Sequence, residues 1–234
     1  MKKVLLCVAF GIVAFTAAYF FAIRPWHVRW GATSAELNTS LPGDELFSAQ
    51  QYVVTHAITI NARPRDVWPW IRQIGQDRSG FYSYTPLENL VGCQMPSVHN
   101  IDPLWKDREP GETVWFATPK HYRAQAKMVA AIVEPERAFA MVSPNDWQRL
   151  QNGSRAEDTV WAFTLEPVGA SQTRLIVRLR GNPYRNLRQR LVSDLFWEPA
   201  HFIMERKMML TIKRLAERSA LAESGSHLRS ASLD

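Results

Sequence analysis

Asp158-Thr-Val-Trp-Ala-Phe-Thr-Leu-Glu166 and Thr173-Arg-Leu-Ile-Val-Arg-Leu-Arg180 are two extended runs separated only by Pro167-Val-Gly-Ala-Ser-Gln172. In the first, Trp161, Phe163 and Leu165 alternate with Val160, Ala162 and Thr164. In the second, Leu175, Val177 and Leu179 alternate with Arg174, Ile176 and Arg178. Strand side chains repeat with period two, and a connection this short joins the runs as an antiparallel pair. Upstream, Thr113 to Ala117, Arg123 to Val133 and Ala138 to Val142 read as further strands.

Before these, Val54, His56, Ile58 and Ile60 share one side of an extended segment, opposite Val53, Thr55, Ala57 and Thr59. Pro64 then opens a helix in which Val67, Ile71 and Ile74 recur at helical spacing, with Pro69 tolerated near its first turn and Gly75 ending it. A second short helix spans Thr85 to Val91. Downstream, Tyr184 to Arg218 reads as helical with a kink at Pro199, and Met204, Met208, Ile212 and Leu215 trace one apolar stripe. The order is strand, two short helices, antiparallel strands, long helix. A long amphipathic helix buries its stripe against a bent sheet, and the space between them is a natural cavity.

The chain has 234 residues, enough for one domain and an anchor. At 46% hydrophobic residues it can bury a core. Its net charge of +6 is a mild excess spread along the chain. With no zinc-finger spacing, basic stripe or RNA-binding aromatic signature, nucleic acid is not expected as a partner. Cys7 lies in the apolar N-terminal run, leaving Cys93 alone in the rest, so no disulfide forms there. Cys93 reads as a small buried hydrophobe.

Val4 to Ile23 carries no charge. At about 1.5 Å per residue its helix just crosses a hydrocarbon core. Lys2 and Lys3 precede it, and Arg24, Trp26, Arg29 and Trp30 follow, the residue types of a bilayer interface. A cleaved leader would have a shorter apolar run and a clearer cleavage site than Thr16 to Ala18, so a retained single-pass anchor in a bacterial inner membrane is expected. The flanking charges tilt slightly towards an external domain. Residues 1–30 are then anchor and juxtamembrane segment, 31–50 a connector, 51–218 the folded domain, and 219–234 a small, polar, disordered tail.

Three stretches carry a resemblance. They are Arg24-Pro-Trp-His-Val-Arg-Trp-Gly-Ala-Thr33; Val67-Trp-Pro-Trp-Ile-Arg-Gln-Ile-Gly75 with Gly80-Phe-Tyr-Ser-Tyr84 and Leu87-Glu-Asn-Leu90; and Glu198-Pro-Ala-His-Phe-Ile-Met-Glu-Arg-Lys-Met208. With the element order, they resemble a bacterial membrane-anchored group of the SRPBCC, or polyketide-cyclase-like, superfamily, whose START-like fold is the helix grip. The resemblance implies an α+β domain in which a curved antiparallel sheet wraps a long C-terminal helix. It implies no particular reaction.

Candidate residues follow from their chemistry. Phe81, Tyr82 and Tyr84, followed by Glu88 and Asn89, suit a pocket that takes an apolar body and fixes one polar end. Trp161, Met128, Met204 and Met208 supply further soft or aromatic walls. Plain core packing, with Glu88 solvated or paired to Arg78, accounts for the same residues. His201 and Glu205 stand i, i+4 on the last helix, as a proton-transfer dyad or as a structural hydrogen bond near Pro199. Without a third partner or a nucleophile, binding is favoured over catalysis. His56 reads as a satisfied core histidine, and His99 and Asp102 as loop residues.

No metal site is expected, since His201 and Glu205 lack further ligands. No cofactor is expected either: phosphate loop, dinucleotide fingerprint and nucleophile elbow are all missing. The leading function is an anchored domain holding a lipid or other hydrophobic small molecule. A cyclase- or aromatase-like enzyme using Glu88, His201 or Glu205 is the first alternative. A scaffold working through surface aromatics such as an exposed Trp147 is the second.

Overall fold

The computed structural model describes residues 2–47, 52–182, 184 and 186–230. The strands are β1 (Tyr52–Ile60), β2 (Thr113–Trp115), β3 (Lys127–Glu134), β4 (Ala138–Val142), β5 (Thr159–Val168) and β6 (Gln172–Gly181). The helices are α1 (Lys2–Ala18), α2 (Arg24–His27), α3 (Ser34–Asn38), α4 (Pro64–Arg72), α5 (Thr85–Leu90), α6 (Pro144–Gln151), α7 (Leu187–Val192) and α8 (Glu198–Ser230). The strands form one sheet in the order β1-β6-β5-β4-β3-β2, antiparallel throughout.

The β5–β6 pair is the longest ladder, running from Thr159 opposite Gly181 to Val168 opposite Gln172. The third strand starts later than expected, at Lys127. Tyr122, Arg123 and Ala124 hold left-handed backbone in a short turn, which removes them from the ladder. Met208, Met209, Ile212 and Leu215 of α8 are buried in one cluster with α4 and the inward sides of β1, β5 and β6. This is the helix-grip arrangement.

Each proline-opened helix has a local cause. Pro64 and Pro144 sit where the missing N–H has no partner to lose. Pro69 falls in the second turn of α4, later than the sequence suggests, and the helix continues through it. Before Pro199 the helical path widens into a π-turn, Ser193–Trp197, in which the Glu198 N–H donates to the Ser193 carbonyl. The same device, Tyr19–Ile23, precedes Pro25. A wider turn relieves the collision between a proline ring and the carbonyl four residues back. The kink expected at Pro199 is therefore a π-turn on its N-terminal side.

Three expectations change. Residues 31–47 are no loose connector but are folded onto the outer face of the sheet. Arg178, fully buried there, donates to the Asp44 carboxylate at 2.6 Å, the Thr39 carbonyl at 3.0 Å and the Thr55 hydroxyl at 3.1 Å. Leu41 and Phe47 are buried with it. Trp147 is half-buried rather than exposed, because α6 folds back against Val129, Val142 and Phe47. The tail expected to begin at Ser219 is helical as far as Ser230; residues 231–234, and the expected boundary at 50/51, lie outside the described residues.

Candidate functional site

The N-terminal and C-terminal motifs, about 170 residues apart in sequence, meet in space. Thr55 and Ala57 of β1 donate backbone N–H groups to the carbonyls of Val28 and Trp30, at 3.0 and 3.1 Å. Gly31 permits this approach: its φ is +73°, and a Cβ there would strike the Ala57 carbonyl. Trp26, His27 and Trp30 surround Phe202 of α8, at centroid distances of 5.4, 5.4 and 6.1 Å. Arg24 reaches Glu198 at 2.9 Å and Asp194 at 3.5 Å, while His27 lies 3.4 Å from Glu198. The segment after α1 is thus keyed into the start of α8.

Beneath that junction lies a buried polar network centred on Glu205. One carboxylate oxygen faces His56 Nδ1 at 2.5 Å. The other accepts from the Trp161 indole N–H at 2.7 Å and faces His201 Nε2 at 3.0 Å. The far nitrogen of His56 donates to the His27 carbonyl at 2.7 Å. Both His56 nitrogens therefore face oxygens. Burial alone would raise Glu205, but His201 and His56 overcome it and hold the group well below the usual carboxylate range. Burial likewise lowers His201, while Glu205 overrides it and raises the imidazole above its ordinary value. The i, i+4 dyad read from sequence exists, and β1 and β5 complete it; nothing in the spacing of His56 or Trp161 marks them as its partners.

Next to this network, between the sheet and the first turns of α8, is a cavity of about 280 Å³. Phe81, Phe116, Trp161 and Trp197 wall it with Met95, Ala200, Met204 and Met208. Ser83, Glu88, His201 and Glu205 are its polar members. Gly80, at φ +84°, turns the chain against Pro96 and aims Phe81 inward, where its ring lies 4.6 Å from Phe116 and 6.0 Å from Trp161. A larger concavity of about 650 Å³ beside α7 is an open surface groove with none of this lining except Trp197.

Of the residues singled out from sequence, Phe81, Glu88, Trp161, His201, Met204, Glu205 and Met208 border the cavity. Tyr82, Tyr84, Asn89 and Met128 do not. Tyr82 turns under α4, where its hydroxyl joins Gln73 at 2.7 Å and Ser79 at 2.8 Å. Tyr84 is exposed beneath the Lys207 ammonium. Asn89 clamps the backbone of Met95. Met128 packs at the sheet edge opposite Val114. Phe116, Met95 and Trp197 come from irregular segments or turn ends, and no periodicity marks them. Among the described residues no cluster of three or more candidate ligands stands ready for a metal ion.

Glu88 differs from Glu205 in finding no donor among the described residues. Arg78, the partner suggested by sequence, spends its guanidinium on the carbonyls of Arg72 and Lys106. One Glu88 oxygen is buried without a partner, and burial pushes its carboxyl up to about 7. A carboxyl raised in the folded state loses stability as pH climbs from its ordinary value to its folded one. Wild-type stability should thus decline between about 4.5 and about 7 in a way that Glu88→Gln does not share. Urea midpoints of both proteins across that range test this, and a pH-independent difference between them would refute it.

No protein-family model matches the chain, and no curated protein matches it. Solved structures do resemble it. KanY aligns at TM-score 0.44 and 13% identity, over 73% of this chain and 99% of its own. The Aha1 dimer of Colwellia psychrerythraea aligns at 0.39 and 13%, over 71% and 97%. A polyketide-cyclase-like protein of Corynebacterium glutamicum aligns at 0.31 and 15%, over 73% and 87%. Likeness at that level adds no argument to the topology. By its own sheet order and its final helix, this chain has an α+β helix-grip fold.

Proposed function

We propose that this chain is a membrane-anchored helix-grip domain that binds one compact hydrophobic molecule in the cavity below the start of α8. The observation that carries this is an apolar hollow with a single unpartnered carboxyl oxygen, that of Glu88, on its wall. Burying such a group alone is unfavourable, and a guest hydroxyl or carbonyl would satisfy it. At about 280 Å³ the space lies at the small end of ligand sites, which suits one or two fused rings and excludes a whole phospholipid. For the anchor, no single helix among the described residues is long and apolar enough to cross a membrane. The supporting observation is that the uncharged run Val4 to Ile23 is helical throughout, α1 passing into the π-turn without a break.

Titration of the full chain with 1-naphthol, followed by its fluorescence, tests the cavity. Saturable binding of one molecule is expected, and Ala200→Trp, which places an indole in the hollow, should weaken it at least ~10-fold. Absence of saturable binding, or equal binding by that variant, would count against the reading. A second reading, general acid–base catalysis on the bound ring, is favoured by Glu88 and the His201–Glu205 pair bordering one cavity. His201→Gln would then retain 1-naphthol binding and lose turnover.

A further inference from the structure

A run of six exposed apolar residues adjoins the cavity, on α7 and the π-turn that follows. Leu187 is 71% exposed, Phe196 60% and Trp197 63%, with Leu191, Val192 and Leu195 between them. Water-facing apolar residues on this scale mark a contact surface. Three observations identify what covers it.

The first is position. The Tyr19 hydroxyl, at the end of the apolar N-terminal helix, donates to the Asp194 carbonyl in the middle of this segment. Arg24 then binds the Asp194 and Glu198 side chains. The patch is therefore held at the level where the uncharged run ends, and Ile23 and Trp26 at that end of the run are themselves exposed. The second is charge. The α7 sequence Leu187-Arg-Gln-Arg-Leu-Val192 carries Arg188 and Arg190 and no acidic residue; the Asp194 carboxylate, 3.6 Å from Arg190, is buried and also bound by Arg24. The third is residue type. Phe196 and Trp197, in edge-to-face contact at 5.0 Å, are the aromatics that settle at a headgroup boundary. A short helix with leucines on one side and arginines among them lies in such an interface.

We propose that α7 and the π-turn Ser193–Trp197 lie in the headgroup region of an anionic bilayer, with Trp197 as the portal between that bilayer and the cavity. Trp197 lines both the groove beside α7 and the cavity. A hydrophobic guest then enters from the lipid phase and never crosses water. This rests on the anchor reading above, so the test reports on each separately.

Nitroxide labels are placed singly in the full chain, in vesicles of phosphatidylcholine and phosphatidylglycerol. Native Cys7, in Cys93→Ser, reports the anchor. Phe196→Cys, in Cys7→Ser/Cys93→Ser, reports the patch. Ala170→Cys in the same background reports the exposed β5–β6 hairpin, roughly 30 Å along β6 from Gly181. The expected result is greater collision with oxygen than with an aqueous nickel chelate at positions 7 and 196, and the reverse at 170. Position 7 in lipid with position 196 in water would overturn the proposal and leave the anchor standing. Both in water would overturn both. Spin–spin broadening at 196 would mean that a second copy of the chain covers the face, which also overturns it.

Discussion

Glu205→Gln is expected to be the most damaging single change near the cavity, lowering stability by about 3–5 kcal/mol. Glu205 is almost fully buried, with His56, Trp161 and His201 all directed at its two oxygens. The amide keeps the shape, but it removes the charge and sets an NH2 against at least one donor. At this chain length the loss amounts to a fall in Tm on the order of 10 °C. The penalty should also depend on pH. Glu205 lies below its ordinary value, so its contribution is present above about 4.5 and lost as pH falls through its folded value. His201 lies above its ordinary value, so its share is complete below about 6.5 and lost as pH rises through the folded value. The gap between wild type and variant should therefore peak between those limits, and thermal unfolding at pH 4, 6 and 8.5 measures it. A loss under about 1 kcal/mol, or a gap that does not vary with pH, would refute the network's role.

Arg178→Ala should cost a similar ~3–5 kcal/mol, by a different route. The guanidinium is buried under residues 31–47 and binds a carboxylate, a hydroxyl and the carbonyls of Thr39 and Glu36. Burial would raise Asp44, yet Arg180, the Leu41 N–H and Arg178 together hold it low. Without Arg178 several acceptors lose their donor at once, and the segment loses its central fastening to β6, keeping those of Arg174 to Glu36 and Arg180 to Asp44. The expected signature is local: hydrogen exchange across residues 34–46 accelerates strongly, while β4 and β5 keep their protection. Uniform acceleration over the whole domain would show that the segment is no separate flap on the sheet.

These two sites illustrate where the sequence is readable. Arg178 alternates with Leu175, Val177 and Leu179, and by the period-two rule it belongs to a solvent face. That rule assigns faces without knowing what covers them. The structure lays α3 and the chain around Leu41 and Phe47 over that face, so an arginine is buried where pattern predicts exposure. The Glu205 network is legible only in part. An i, i+4 pair on one helix is fixed by helix geometry, which is local. His56 and Trp161 join it from strands 149 and 44 residues away, through packing that no local period encodes.

The same distinction holds for the cavity lining. Phe81, Trp161, Met204 and Met208 belong to an aromatic run, a strand period and a helix stripe, and those patterns point inward. Tyr82 and Tyr84 flank Phe81 with equal chemistry, yet neither reaches the hollow. Tyr82 has left-handed backbone and a hydroxyl taken by Ser79 and Gln73, and Tyr84 faces water. Which of three neighbouring aromatics faces the cavity depends on one loop's path past Gly80.

By itself the sequence determined the antiparallel strands, the break before Pro199, the apolar stripe of α8 and hence the helix-grip fold, because hydrophobic period and proline sterics act over a few residues. Tertiary structure alone decided that the 31–47 segment covers the sheet, that His56 completes the Glu205 network, and that Glu88 is left without a partner. Those outcomes depend on which distant groups arrive at the same point, and burial and donor supply there are properties of the packed molecule.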